Sequence, residues 1–226
     1  MVGEEKIKEI SLKDLKSPFF VHQKRYRKIT GYEYEGMKFY LKEYFDNFDE
    51  VKREWENLKF LYEKGFPVPK PLFIKEEKEK IVIGMEALRG TPLSEILKKS
   101  DSEDKYLKAL SLLLGKLHKE NLFHQDCYLN HFYWEEDTHR LSFLDVARIK
   151  NTKVFSFYYQ VKDLAQLGYS FEEYLGEKGP HYFQNFLKFY EEFTGRLSPL
   201  QKILLKFKIS RIRFRTLKRK NEGKPL

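Results

Sequence analysis

Phe123-His124-Gln125-Asp126-Cys127-Tyr128-Leu129-Asn130-His131, followed a little later by Leu144-Asp145-Val146-Ala147-Arg148, are the stretches whose reading decides the fold of this chain. Between them lie two short apolar runs, Phe132-Tyr133-Trp134 and Leu141-Ser142-Phe143-Leu144, separated by the polar segment Glu135 to Arg140. That pattern predicts a small β-hairpin. A hairpin returns the chain to the end it left, so Asp126 before its first strand and Asp145 after its second are expected on loops at one end.

The surrounding texture changes on either side of residue 90. From Phe19 to Met85 the chain has short aromatic-rich runs with turn signals at Gly31 and Gly36, and a charged turn from Glu76 to Lys80 between Leu72-Phe73-Ile74 and Ile81-Val82-Ile83. These predict antiparallel hairpins. One helix interrupts them: Asp49 is expected to cap it, Val51, Trp55, Leu58 and Tyr62 recur at helical spacing, and Gly65 with Pro67 ends it. After Gly90-Thr91-Pro92, Ser100 and Glu103 have capping-box spacing ahead of a Leu107, Leu110, Leu114, Leu117 stripe. The expected fold class is α+β, with an antiparallel β-sheet lobe carrying one helix (residues 1–88, including a connecting hinge) and a mainly helical lobe (residues 89–226).

With 226 residues, 41% hydrophobic and 16% aromatic, the chain can bury a core despite its 34% charged residues. The lone Cys127 excludes an internal disulfide, and Met1 to Leu15 contains no apolar run of signal-peptide type, so a reducing cytoplasm is expected. No stretch reaches the roughly 18 to 20 apolar residues of a membrane span, and membrane contact is therefore expected to be peripheral. The formal charge is +9, and nine basic residues with no acidic one fall between Lys202 and Lys220, interleaved with Ile203, Leu204, Leu205, Phe207, Ile209, Ile212, Phe214 and Leu217. Two readings stay open. The segment is a helix attracted to an anionic surface, phospholipid or RNA, or it is a helix packed on the core with a solvated basic face.

Two carboxylates on neighbouring loops suit phosphoryl transfer. One orients the attacking hydroxyl and the other holds magnesium on the nucleotide phosphates, since catalysis there is mostly positioning and charge neutralisation. His-x-Asp, a hairpin, then Asp at a strand end resembles the protein-kinase catalytic loop and metal-binding segment. More narrowly, His124 to Phe132 is similar to the catalytic loop of the lipopolysaccharide core kinases, the heptose and Kdo kinases, with the heptose branch nearer. Protein kinases place Asn where this chain has His131, as expected in the lipopolysaccharide family.

The resemblance implies a bilobal protein-kinase-like fold, ATP and Mg²⁺ as cofactors, and a sugar acceptor in the lipopolysaccharide core or linked to lipid. It implies that Asp126 is catalytic, that Asp145 holds the metal, and that His131 acts beside them, as metal ligand or by hydrogen bonding a phosphate. Lys42 in Tyr40-Leu41-Lys42 is expected to contact the nucleotide phosphates, with Glu54 as its helix partner. Met85 to Leu88 is the expected hinge, with Glu86 and Leu88 meeting adenine, while His124 and Asp163 support the catalytic loop. Gly65-Phe66-Pro67-Val68-Pro69 and Lys162 to Ser170 resemble the family too, so the likeness covers most of the chain.

Two features depart from protein kinases. The phosphate-covering loop is not glycine-rich; Gln23-Lys24-Arg25-Tyr26-Arg27 stands in its place, so Lys24 and Arg25 are expected to substitute for backbone amides. Gln125 replaces the Arg that regulated protein kinases use to grip an activation loop, and Tyr128 stands where a Lys is usual, which implies constitutive action on a non-protein hydroxyl. Cys127 is expected to be structural. The anionic cytoplasmic face of the inner membrane is the expected location, with nucleic acid as a lesser alternative partner. The competing functions are a small atypical protein kinase like that of the tRNA-modification complex, and a nucleotide-binding pseudokinase.

Overall fold

The structure, a computed structural model, describes residue 15, residues 17–100 and residues 103–222. The expectation drawn from the first residues lies outside this set, Leu15 apart. The chain divides into two units, Met1–Arg89 with Ser142–Ala147, and Gly90–Leu141 with Arg148–Leu226. The segment carrying Asp145 thus groups with the first unit.

In the first unit, β1 (Phe20–Lys24), β2 (Arg27–Tyr34) and β3 (Met37–Tyr44) form an antiparallel meander, α1 (Phe48–Glu63) follows, and β4 (Pro71–Glu76) and β5 (Ile81–Glu86) form a second hairpin. The five strands make one sheet of order β1-β2-β3-β5-β4, in which Lys42 of β3 lies opposite Ile29 on one side and Ile83 on the other. Period-two alternation sends Phe39 and Leu41 into a core with Leu72 and Val82 and sends Tyr40, Lys42 and Tyr44 to the opposite face.

Gly36 fits its predicted turn, since Glu35 and Gly36 both have left-handed φ between β2 and β3. Gly31 does not. It lies inside β2, where an added Cβ would come within 2.6 Å of the Phe19 ring, so close side-chain packing explains this glycine. The cap of α1 also differs: Asn47, in left-handed conformation, precedes the helix and Asp49 sits within its first turn. Its buried side is Val51, Glu54, Leu58 and Leu61, while Tyr62 is exposed. The inward face is rotated from the expected stripe because Glu54 has partners on β3.

In the second unit, β6 (Thr91–Pro92) leads to α2 (Leu93–Lys99) and α3 (Asp104–Lys119); then come β7 (Leu122–Phe123), β8 (Phe132–Glu135), β9 (Arg140–Phe143), of which Arg140 and Leu141 belong here, and β10 (Lys150–Asn151). The strands β6, β8 and β9 form a small sheet in that order. The Leu107, Leu110, Leu114, Leu117 stripe is fully buried. The capping box expected ahead of it is not formed: Glu103 precedes α3 without a side-chain cap, and its carboxylate accepts from Asn185 instead.

The remaining helices are α4 (Ser156–Leu175), α5 (Gly179–Thr194) and α6 (Pro199–Asn221). Between α4 and α5 the core is aromatic, with Phe171, Phe183, Phe186 and Tyr190 in successive ring contacts. A reciprocal capping box between Ser198 and Gln201, with Pro199 at the first position, starts α6. Among the described residues no helix is long and apolar enough to cross a membrane.

Candidate active site

The first unit builds a charged cluster on β3. Alternation puts Lys42 and Tyr44 on one face, and both reach Glu54 of α1: Lys42 Nζ pairs with one carboxylate oxygen and the Tyr44 hydroxyl donates to the other. With side-chain exposures of 12% and 4%, removal of either ion would strand its partner at a cost of about 3–5 kcal/mol. Burial alone would lower the Lys42 ammonium, but Glu54, Tyr44 and Asp145 outweigh it and hold it above its ordinary range. Burial, assisted by Glu54, pushes the Tyr44 phenol up despite Lys42.

Asp145 joins this cluster through its charge. It has left-handed φ, +63°, a conformation costing about 1–3 kcal/mol in a non-glycine residue, which the surroundings must enforce. Asn57 of α1 contributes by donating from Nδ2 to the carbonyls of Val146 (2.9 Å) and Ala147 (3.4 Å), the next two residues. Arg27 of β2 is the second cation here. Its guanidinium lies 5.9 Å from the Tyr44 ring centre, and although burial opposes its charge, Tyr44, Asp145 and Glu54 raise its pKa. Its buried Nε has no hydrogen-bond partner among the described residues.

The second unit builds the loop that carries Asp126, and α4 holds it by the backbone. Asp163 accepts from the amides of His124 and Gln125, both at 2.7 Å; Gln166 accepts from the Cys127 amide at 3.3 Å; Ser170 Oγ accepts from the Leu129 amide at 3.1 Å. These three residues are spaced i, i+3, i+7, one face of a helix, so one element reads out successive loop amides. Gln125 has φ +63°, is buried, and donates to Asp163 at 2.9 Å and to the Tyr159 carbonyl at 3.3 Å. Its side chain therefore serves the loop's own support. The acid it precedes is partly open, with 22% side-chain exposure and Arg148 3.7 Å away.

Two histidines complete the loop. The Asp126 amide donates to His124 Nδ1 at 3.3 Å, and His124 is fully buried. His131 Nδ1 lies 2.8 Å from the Asp126 carbonyl, which accepts, so the hydrogen sits on Nδ1 and a neutral ring carries its lone pair on Nε2. Behind the loop, Asp163 meets His118 Nε2 at 3.2 Å, His118 Nδ1 meets the Tyr190 hydroxyl at 2.6 Å, Gln160 donates to that hydroxyl at 2.8 Å, and Gln201 of α6 donates to Gln160 at 2.8 Å. Cys127 is buried, and burial followed by the Asp163 and Asp126 charges raises its thiol far above the reactive range, consistent with packing.

Lys24 and Arg25 are exposed at the β1–β2 turn. Glu86 ends β5 with its amide bonded to the Lys70 carbonyl, the Ala87 amide is bonded to the Lys38 carbonyl, and Leu88 follows near the end of the first unit. Arg27 falls within the basic run expected to cover the phosphates, while Tyr44, Asn57, Gln166, Ser170 and Arg148 had no expected role. Two signals were available: the strand period that aligns Tyr44 with Lys42, and the i, i+3, i+7 spacing of Asp163, Gln166 and Ser170 on one helix.

Comparison with known proteins places the chain in a family. The family model "Lipopolysaccharide kinase (Kdo/WaaP) family" matches residues 23–192. No curated protein matches the chain. Among solved structures, WaaP in complex with acyl carrier protein is 20% identical, with 92% of this chain and 90% of that one covered at a TM-score of 0.61. A type VIII aminoglycoside-3'-phosphotransferase is 16% identical, with 80% and 87% covered at 0.63. The bifunctional kinase-methyltransferase WbdD is 16% identical, with 89% of this chain but 53% of that one covered at 0.59. The fold is thus protein-kinase-like. Since the family model spans most of the sequence, this chain belongs to the Kdo/WaaP lipopolysaccharide kinase family and is a phosphotransferase acting on a sugar hydroxyl.

Proposed function

We propose that this chain transfers the γ-phosphoryl group of ATP to a hydroxyl of a heptose in the lipopolysaccharide inner core. The observation that carries the proposal is the support of the Asp126 loop by three polar side chains of α4, which gives one partly open carboxylate a fixed place. In the proposed step the acceptor hydroxyl donates its proton to Asp126 as its oxygen bonds to the γ-phosphorus; the bond from that phosphorus to the bridging oxygen breaks, and ADP leaves with the electron pair. Lys42, held by Glu54 and Tyr44, contacts the phosphates, and Arg27 adds a second positive charge there. Glu86 contributes its carbonyl and Leu88 its amide to adenine, because the Glu86 and Ala87 amides are engaged elsewhere.

Magnesium fits the Asp145 carboxylate as a hard oxygen donor, and would neutralise charge on the β- and γ-phosphates. Asn57 orients that segment through its carbonyls. His131, hydrogen-bonded through Nδ1 to the Asp126 carbonyl, is held beside the catalytic acid, where it acts as a metal ligand or as a hydrogen-bond partner of a phosphate. An acceptor anchored in an anionic membrane fits a chain of charge +9 whose surplus lies in α6, and the cytoplasmic face of the inner membrane is the proposed site of action.

The test is turnover of Mg-ATP on purified inner-core oligosaccharides, with mass-spectrometric location of the added phosphate. Phosphate on heptose, lost with Asp126→Ala, is the expected result. Phosphate on Kdo would move the specificity within the family. Phosphorylation of protein alone would favour an atypical protein kinase, and no Mg-ATP binding or turnover with any acceptor would favour a pseudokinase.

A further inference from the structure

The apolar residues of α6 divide between two faces. Leu205 is buried, and Leu204, Ile209, Ile212 and Thr216 are partly covered on the side packed toward α4. Leu200, Ile203, Phe207, Phe214 and Leu217 form a second stripe at helical spacing, with Ser210 in the intervening place. All five are exposed, from 53% at Leu217 to 69% at Phe214. Core packing does not account for this stripe, which runs about 25 Å along the helix.

The charges around it are sorted. Lys202, Arg213 and Lys220 are held by Glu191, Glu172 and Glu173 of the neighbouring helices. Lys206 on one margin of the stripe and Arg211 on the other make no ion pair among the described residues, and Lys218 beside Arg211 makes a loose one, 3.9 Å, with Glu222. An apolar line bordered on both sides by cations, on a helix without acidic residues from Lys202 to Lys220, matches a helix lying in a lipid interface.

We propose that α6 lies flat on an anionic bilayer, its Leu200, Ile203, Phe207, Phe214 and Leu217 side chains entering the acyl boundary while Lys206, Arg211 and Lys218 meet the headgroups. A bilayer is favoured over an acidic protein because the stripe is straight, long and flanked alike on both sides. The inference deepens the membrane part of the proposed function and rests on it. It adds that hydrophobic insertion, as well as charge, holds the protein.

The test uses the full chain with mixed phosphatidylcholine–phosphatidylglycerol vesicles and with phosphatidylcholine alone, by co-sedimentation. The wild type is expected to bind the anionic vesicles. A Phe207→Ser, Phe214→Ser variant should bind at least ten-fold more weakly at every salt concentration, and Arg211→Gln or Lys218→Gln roughly five-fold more weakly, an effect that disappears at high salt. Turnover on soluble oligosaccharide should be unchanged in all of them, since none lies in the catalytic machinery. No binding of the wild type to anionic vesicles overturns both the insertion and the membrane reading. Equal binding by the double phenylalanine variant overturns insertion alone. A wild-type dimer that the same variant dissociates, or binding that needs a protein partner, also overturns it.

Discussion

Arg27 differs in setting from its basic neighbours in sequence. In a basic run at a hairpin turn, Lys24 and Arg25 draw notice first, yet they are exposed, while Arg27 has entered β2 and points its guanidinium toward Tyr44 and the charge of Asp145. A buried donor left without an acceptor costs about 1–3 kcal/mol, and Arg27 Nε has none among the described residues, which motivates a test of whether an anion such as a nucleotide phosphate joins it. Arg27→Met keeps much of the stem and removes the charge. We expect it to lower kcat/KM for ATP by about 10- to 100-fold, the range for a charge-assisted hydrogen bond, and Lys24→Gln with Arg25→Gln to change it only about two-fold. Steady-state kinetics with varied Mg-ATP decides the point, and a wild-type ATP dependence in Arg27→Met would remove Arg27 from the site. The pairing of Lys42 with Glu54 was implied by the family resemblance, and the two side chains do meet. Tyr44 shares the face of Lys42 by the strand period, whereas Arg27 required knowing where β2 begins, because a shift of one residue exchanges the two faces of a strand.

The element that matters most to the chemistry is α4, which touches no reacting atom in the proposed step. Its Asp163 is fully buried and accepts two backbone amides, so its charge is matched by fixed dipoles and by His118. Asp163→Asn preserves the shape but leaves only one oxygen for amides that now occupy both. We expect it to cost about 1–3 kcal/mol in stability and to lower kcat more than about 100-fold with little change in the ATP KM, because the loop, and Asp126 with it, loses its place. Gln166→Ala removes two neutral bonds, one accepted from the Cys127 amide at 3.3 Å and one donated to the Gln125 carbonyl at 3.0 Å, and should cost about 2 kcal/mol, with a smaller fall in kcat. Urea unfolding beside a kcat and KM determination separates the two effects. If Asp163→Asn unfolds more easily but keeps full kcat, the helix is a structural support only. The i, i+3, i+7 spacing of Asp163, Gln166 and Ser170 was legible in the sequence, but their partners were not, since these lie about 40 residues earlier in a loop whose path depends on tertiary contacts. The same reason hid the outer stripe of α6: periodicity finds both apolar faces, and only packing against α4 shows which one remains outside.

Across the whole molecule, the strongest pH dependence should come from phenols and one lysine. Burial raises the pKa of Tyr44 and Tyr190, and also that of Tyr128 and Tyr40, while Lys42 is raised by Glu54, Tyr44 and Asp145 against its burial. In the unfolded chain these groups ionise near their ordinary values, about 10 for Tyr and 10.4 for Lys. Above about pH 10 the unfolded chain therefore releases protons that the folded chain retains, and stability must fall as pH rises; below that range both states hold the same protons and these groups contribute their full stabilisation. Urea midpoints should be nearly flat from about pH 7 to 9 on account of these groups and drop steeply above 10, while phenolate absorbance of the folded protein should lag behind that of the unfolded chain. Tyr44→Phe tests the assignment, because it removes one raised phenol and also the hydrogen bond to Glu54. Its midpoint should be lower at neutral pH and should fall less between about pH 10 and 11 than that of the wild type. An equally steep fall in the variant would mean that Tyr44 ionises in the folded protein as it does in the unfolded chain, and that the cluster around Lys42 is more open to water than its burial indicates.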